Sequence, residues 1–457
     1  QSARRFTSTR TACDARYCIH SPPPRFFLTR GALVTLRFQN LVMRSWAASA
    51  ALVLAFTTGV AAGTVSVTDS AGLVAAVQAA ESGDVISLAA GQYTVSSTLS
   101  LSGKSDITIT TADPLGATIA RSPAPADTLI YRLFHLVGST NIALNNLHLT
   151  GLTDADDGGL IRLEDGSSIT VTGCALTDAQ AETGAGIWAE GSTVTATDTV
   201  FNHLTGLANF GGAVHADQES KLLLNKCAFD SNTCMKGGAV AVENDSEITA
   251  TQTAFTNNVA TETGGALYVQ AGAHGAVTEC IFNHNSATHP TEEHHGEGGA
   301  IELIEGATLA VDKCIFDSNS AAVMGGAICV KFFAKLTLKD TIFTANTAED
   351  GGAINLEMGQ PVSLDGATFK DHTVTKEGAC PAIHLSDADS AECADAAGTA
   401  VVVCTEDEAT NACANDFTAA PVAPTFAAPT SRTGAGTGTT TRTSGAAGPT
   451  SGAAGPT

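Results

Sequence analysis

Cys314–Ile328 reads "CIFDSNSAAVMGGAI": a Phe, an Asn three residues later, then Gly-Gly-Ala and an aliphatic residue. The arrangement returns as "CAFDSNTCMKGGAV" from Cys227, "TAFTNNVATETGGAL" from Thr253 and "TIFTANTAEDGGAI" from Thr341, with a longer copy from Cys280. The first aliphatic residue after the glycine signal falls at Ile161, Ile187, Val214, Val240, Leu267, Ile301, Ile328, Ile354 and Ile383, mostly 26 or 27 residues apart. Phe201, Phe229, Phe255, Phe282, Phe316, Phe343 and Phe369 keep the same step independently. Both series jump by 34 residues at one place, which puts one seven-residue insertion between Phe282 and Ile301. Two registers sharing one insertion define a repeat, and a repeat outranks local propensity.

Each unit carries short strands. "AIEL" and "AICV" alternate aliphatic and variable residues, the period of a strand with one buried face. Gly-Gly turns the chain, because glycine takes positive φ without steric cost. A unit this short cannot bury its own apolar face, so neighbours must stack as a solenoid. No window within the repeats sustains a 3.6-residue period. The expected fold is all-β: one right-handed parallel β-helix of roughly a dozen turns, with rungs about 4.8 Å apart. Like residues then stack on like. Phe229, Phe255, Phe282, Phe316 and Phe343 run through the core, and Asn232, Asn258, Asn285, Asn319 and Asn346 run up one corner. Such an Asn ladder satisfies buried turn backbone through its amides, so these repeated residues read as structural.

Open solenoid ends expose strand edges, so caps are expected. "SAGLVAAVQAAESGD" reads as an amphipathic capping helix with Ser70 as N-cap and Leu73, Val74 and Val77 on one face. At the other end, residues 386–417 leave the period and hold Cys393, Cys404 and Cys413. From Ala420 onward Thr, Ala, Gly and Pro dominate, a composition that cannot form a core and reads as a disordered tail. Ahead of the repeats, "SWAASAALVLAFTTGVAA" follows Met43-Arg44 and ends in small residues before Gly63, the pattern of a secretory signal. Residues 1–42 hold seven Arg and one acid; upstream translated sequence and an organelle transit peptide both suit them. The organisation expected is an upstream segment over 1–42, a signal over 43–62, a capped β-helix over 63–419 and a low-complexity tail over 420–457.

Of 457 residues, 45 are Gly and only 15% are charged. No apolar run reaches the roughly 20 residues that span a bilayer. Beyond residue 62 the chain holds 15 basic against 45 acidic residues, a net charge of −30. Such a surface repels nucleic acid and anionic membranes and attracts cations.

The pairing of Phe-x-x-Asn with Gly-Gly-Ala-Ile, over about Leu176 to His372, resembles the repeats of chlamydial polymorphic outer membrane proteins. The opening "VAAVQAAESGDVISLAAGQYTV" resembles the capped start of pectin-lyase-like right-handed β-helices. The resemblance implies a secreted or surface-displayed passenger used in adhesion, at the cell envelope or outer membrane in a bacterial setting. Those relatives end in a membrane β-barrel with a terminal aromatic, whereas this sequence ends in its Gly/Thr/Pro tail.

On a solenoid, function sits on an outward column. The residues after the series aliphatics are Arg162, Trp188, His215, Ala241, Tyr268, Glu302, Cys329, Asn355 and His384, a column expected in solvent. Trp188, His215 and Tyr268 on it form the candidate glycan-binding face. Two residues further along the chain, Glu164, Glu190, Asp217 and Glu243 stack at rung spacing. Like charges that close raise each other's pKa unless a cation intervenes, so these are candidate calcium ligands; a solvated acidic strand is the plain alternative. A polysaccharide lyase needs a base beside a uronate and a cation or Arg to hold the developing charge. Arg162, His215, Glu190 and Asp217 are the catalytic candidates, with no familiar motif around them; a hydrolase would need two positioned carboxylates. The insertion "SATHPTEEHHGEGG" offers His289, His294 and His295 as zinc candidates, although no standard spacing is met.

Cys174, Cys227, Cys280 and Cys314 share a core column two residues before the Phe series and read as packing thiols. Cys280 and Cys314 lie on adjacent rungs, close enough for a disulfide. Cys380, Cys393, Cys404 and Cys413 allow three connectivities. The sequence thus leads to a secreted or cell-surface interaction protein, adhesin-like or glycan-binding, with no required cofactor. The alternative is a lyase or glycoside hydrolase on acidic polysaccharides.

Overall fold

A computed structural model describes residues 63–122, 132–155, 157–288, 296–357, 362–376 and 379–386. The expected upstream segment, secretory signal and low-complexity tail lie outside them, as do Cys393, Cys404, Cys413, His289, His294 and His295. One turn shows the plan. Ile161–Glu164 lies on a third face, Ser168–Thr172 on a first, Ala175–Ala181 on a second, and Ile187–Glu190 returns to the third face one rung on. Among the described residues the first face has twelve strands, from Thr64–Val67 to Ser363–Asp365, and the third has eleven, from Leu99–Ser102 to Ile383–Ser386. All are parallel, the architecture of a β-helix.

Both sequence series hold in register. Ile161 pairs with Ile187, Ile187 with Val214, and so on to Ile354 with Ile383. On the second face Phe201 pairs with Phe229 and each later Phe with the next, to Phe369. Their rings stack with centroids 4.4–5.0 Å apart and planes within 10° of parallel. Aromatic stacking and burial of ring surface both favour that column.

The Asn ladder is saturated. Asn258 Nδ2 donates to Phe229 O at 3.0 Å and to Asn285 Oδ1 at 2.9 Å. Asn258 Oδ1 accepts from the backbone N–H of Asn232 at 3.1 Å and from Asn232 Nδ2 at 2.9 Å. Asn285 and Asn319 repeat this pattern. Every polar atom of these fully buried amides is used, which is what burial requires.

The double glycine has two separate causes. Gly264 takes φ +62°, the left-handed turn that glycine adopts freely, whereas its partner Gly265 does not. A Cβ on Gly265 would run into the carbonyl oxygen of Gly299 on the next rung, so close stacking demands the second glycine. Ordinary residues make the other corners. Asp198, Lys226, Gln252, Glu279, Lys313 and Asp340 precede the cysteine/threonine column with positive φ, at a cost of roughly 1–2 kcal/mol each.

The helix Ser70–Ala79 caps the first turns and buries Leu73, Ala76 and Val77. Its N-cap is Asp69, not Ser70: Asp69 Oδ1 accepts from Gly72 N at 2.7 Å, while Ser70 Oγ accepts from Thr94 N at 2.8 Å. Ser70 is therefore spent tying the helix to the strand Gly91–Val95. The disulfide that adjacent rungs permit is not formed either. Cys280 and Cys314 are free, and Cys280 N donates to Cys314 Sγ at 3.4 Å. Burial raises the thiols of Cys174 to about 11 and Cys227 to about 12, so they are inert packing groups.

Candidate functional site

The register of the third-face column agrees with the sequence. Arg162, Trp188, His215, Ala241, Tyr268, Glu302, Cys329, Asn355 and His384 stand on successive rungs. These side chains point away from the apolar core, yet all but the part-buried Arg162 are shielded from solvent. Trp188 is 7% exposed, His215 5%, Tyr268 2% and Cys329 0%. The expectation of a solvated column is corrected.

The cover is the chain itself. The residue before each double glycine lies over the third face, and parallel bridges join Phe210 to Lys236, Thr263 to Glu297, Glu297 to Met324, and Met324 to Asp350. Glycine at the turn lets this strip approach so closely. Two columns therefore face each other along the solenoid flank, and the polar groups between them pair.

Arg162 bonds Glu164, reaches Asp157 at 3.6 Å, and lies over the Trp188 ring with Cζ 4.1 Å from its centroid. Glu164 also meets His135 Nε2 at 3.0 Å. Burial pushes the Glu164 carboxyl up, but His135 and Arg162 outweigh it and hold it below the usual range. Farther on, His215 Nε2 is 2.8 Å from Glu243 Oε2 and its Nδ1 is 3.3 Å from Thr183 Oγ1. Gln270 donates to the other Glu243 oxygen and accepts from the Tyr268 hydroxyl. Phe210 closes over this group, its ring centroid 5.4 Å from that of His215 and 6.0 Å from that of Tyr268. Burial and neighbouring carboxylates raise the Tyr268 phenol far above its ordinary value.

A second cluster lies where the insertion rejoins the repeat. Lys331 Nζ is 2.6 Å from Glu297 Oε2 and 3.4 Å from Glu357 Oε2. Burial alone would lower the Lys331 pKa, but Cys329, Glu297 and Glu302 together raise it. Burial, with Glu297 beside it, pushes Glu302 up to about 8. At the end of the column His384 Nδ1 is 2.7 Å from Asp350 Oδ1, which also accepts from Cys380 N at 3.1 Å.

The catalytic candidates are not assembled into a reactive centre. His215 has both ring nitrogens engaged beneath cover, so neither is open to a substrate proton. Arg162, two rungs from His215, is committed to Asp157 and Glu164. Glu190 and Asp217 pair in register and are half-buried at the rim, where Asp217 Oδ1 accepts from Asn244 Nδ2 at 2.7 Å. The calcium candidates Glu164, Glu190, Asp217 and Glu243 share a column, but they do not converge. Among the described residues, the group of three metal-ligating side chains within 4.8 Å of one another is Glu297, Glu302 and Cys329. Sequence reasoning placed Glu302 and Cys329 on the column and missed Glu297, whose partner across the turn is set by the cover strip.

The chain belongs to the right-handed β-helix family: the family described as "Right handed beta helix region" matches residues 134–390. No curated protein matches the sequence. Among solved structures it is similar to the PL6 family alginate lyase AlyGC, at 15% identity and TM-score 0.33, over 71% of this chain and 39% of that one. It is also similar to an endo-xylogalacturonan hydrolase from Aspergillus tubingensis, at 13% identity and TM-score 0.31, over 70% of this chain and 95% of that one. Pectate lyase II from Xanthomonas campestris is similar at 11% identity and TM-score 0.23, over 68% and 81%. At these values no residue role passes from those enzymes to this chain. No helix among the described residues is long and apolar enough to cross a membrane.

Proposed function

We propose that this chain is a secreted or cell-surface interaction solenoid, adhesin-like or glycan-binding, with no catalytic turnover. One observation carries the reading: the column that holds the chemistry-bearing side chains is covered by the chain and paired within itself. Its residues stabilise the flank and leave the outer faces to meet a partner. The net charge of −30 beyond residue 62 disfavours acidic polysaccharides and favours a neutral glycan or a basic protein. The first face supports the glycan choice. Ser168, Thr170 and Thr172 pair with Thr193, Thr195 and Thr197, giving a flat, hydroxyl-bearing patch whose members are half-buried or exposed. Hydroxyls in register suit sugar hydroxyls, each able to donate and accept. Surface display is supported by the repeat's resemblance to adhesive passengers and by the signal-like stretch before Gly63.

Glycan-array binding by the full chain, with and without calcium, tests the proposal. Binding of neutral glycans that Thr170→Lys and Thr195→Lys abolish supports it. Release of unsaturated sugars from pectate or alginate by the purified chain overturns it in favour of a lyase.

A further inference from the structure

We propose that Glu297, Glu302, Cys329 and Asn355 form a buried site for a zinc-type divalent cation. The four donors come from three rungs and both columns, with Glu297 and Glu302 on one rung, Cys329 on the next and Asn355 on the third. Glu302 pairs with Cys329 and Cys329 with Asn355 on the third face, while Glu297 hangs over them from the cover strip. A ligand atom from each of Glu297, Glu302 and Cys329 lies within 4.8 Å of the others, and all three residues are buried. A tetrahedral zinc ion sets sulfur and oxygen roughly 3.6 Å apart, so rotations of about an ångström would close the set.

Asn355 points to the ligand independently. It is 0% exposed, and its Oδ1 has no hydrogen-bond partner. An unpartnered buried amide oxygen is costly and rare. Its Nδ2 stands 3.6 Å from Cys329 Sγ, and turning the amide over brings the oxygen to that place, facing the sulfur. A cation among the four would take that lone pair as its fourth donor.

The donor set selects the metal class. A thiolate with carboxylate and amide oxygens suits zinc, cobalt or cadmium, whereas calcium and magnesium prefer all-oxygen shells. Lys331 does not reverse the charge balance. It is held by Glu297 and Glu357, two carboxylates against one ammonium, and a cation would displace the protons that burial favours on Glu302 and Cys329. The cation would staple the cover strip to the third face, and because no ligand faces solvent it would load as the chain folds.

Refolding the full chain with cobalt(II) tests this site. The expected result is the intense visible bands of tetrahedral cobalt with a near-ultraviolet thiolate charge-transfer band. Cys329→Ser should lose the charge-transfer band, Glu302→Gln should lose the tetrahedral bands, and Cys280→Ser should keep both. Absence of the bands in the unaltered chain overturns the proposal, as does their survival in Cys329→Ser. If Cys329→Ser does not refold, Glu302→Gln decides: retained bands overturn the site and lost bands support it.

Discussion

His372 Nδ1 accepts the backbone N–H of Asn346 at 3.1 Å, the place filled on the four rungs before it by the side-chain oxygen of the next asparagine. A histidine therefore ends the ladder. Burial lowers its pKa from 6.5 to about 4. In the unfolded chain it binds a proton near pH 6.5, and in the folded chain only near pH 4. Its contribution is thus complete above pH 6.5 and is lost as pH falls toward 4, by roughly 3 kcal/mol in all. Urea midpoints measured from pH 7 to pH 4 should fall less steeply in His372→Asn, which keeps an acceptor that does not titrate. Equal acid slopes in the two proteins would contradict this role.

Asn285→Ala should cost about 2–5 kcal/mol, because it strands the Asn258 N–H, an Asn258 amide hydrogen and the Phe255 carbonyl in the buried interior. Thr249→Ala, on the exposed side of the first face, should cost under about 0.5 kcal/mol. Chemical denaturation of both variants checks the contrast; similar losses would mean the amides are dispensable.

Phe255→Ala should open a cavity costing about 3–5 kcal/mol, since the ring is wholly buried between Phe229 and Phe282. Tyr268→Ala would be nearly neutral if the third-face column were in solvent. With Tyr268 only 2% exposed and bonded to Gln270, the expected loss is about 2–4 kcal/mol. Thermal or urea unfolding distinguishes the two cases directly.

A glycine pressed against the next rung should tolerate alanine far less than one that only turns the chain. Gly265→Ala forces a methyl against the Gly299 carbonyl and should prevent folding or cost more than about 3 kcal/mol. Gly306→Ala meets nothing within 4 Å and bears only the strain of φ +75°, about 1–2 kcal/mol. Comparable losses at the two positions would deny the close stacking of rungs.

The sequence was informative about register and silent about cover. Phe229, Asn232 and Val240 recur with one step because stacked rungs put like on like, so spacing alone aligned the faces. Period-2 alternation also says that Trp188 points away from the core. It cannot say whether another segment lies over it. That depends on Phe210, Lys236 and Glu297, which precede the glycines and share no residue type. Their one sequence signal is placement, a fixed offset before each double glycine opposite the outward column. The left-handed corners at Lys226 and Gln252 were equally hidden, because ordinary residues adopt that conformation under the pull of neighbouring rungs. At the helix start, two adjacent capping residues competed, and Ser70 was taken by Thr94.

Trp188 reports most directly on whether the flank is a covered strip or an open face. The sequence holds two tryptophans, and Trp46→Phe leaves Trp188 alone as the fluorophore. Acrylamide quenching of the folded variant is the measurement. A Trp188 covered by Arg162 and 7% exposed should be quenched several-fold less than in the same chain unfolded in urea, with no change when glycans are added. Quenching as efficient in the folded chain as in the unfolded one, or protection appearing only with a bound sugar, would contradict the covered strip and restore Trp188 as a binding platform.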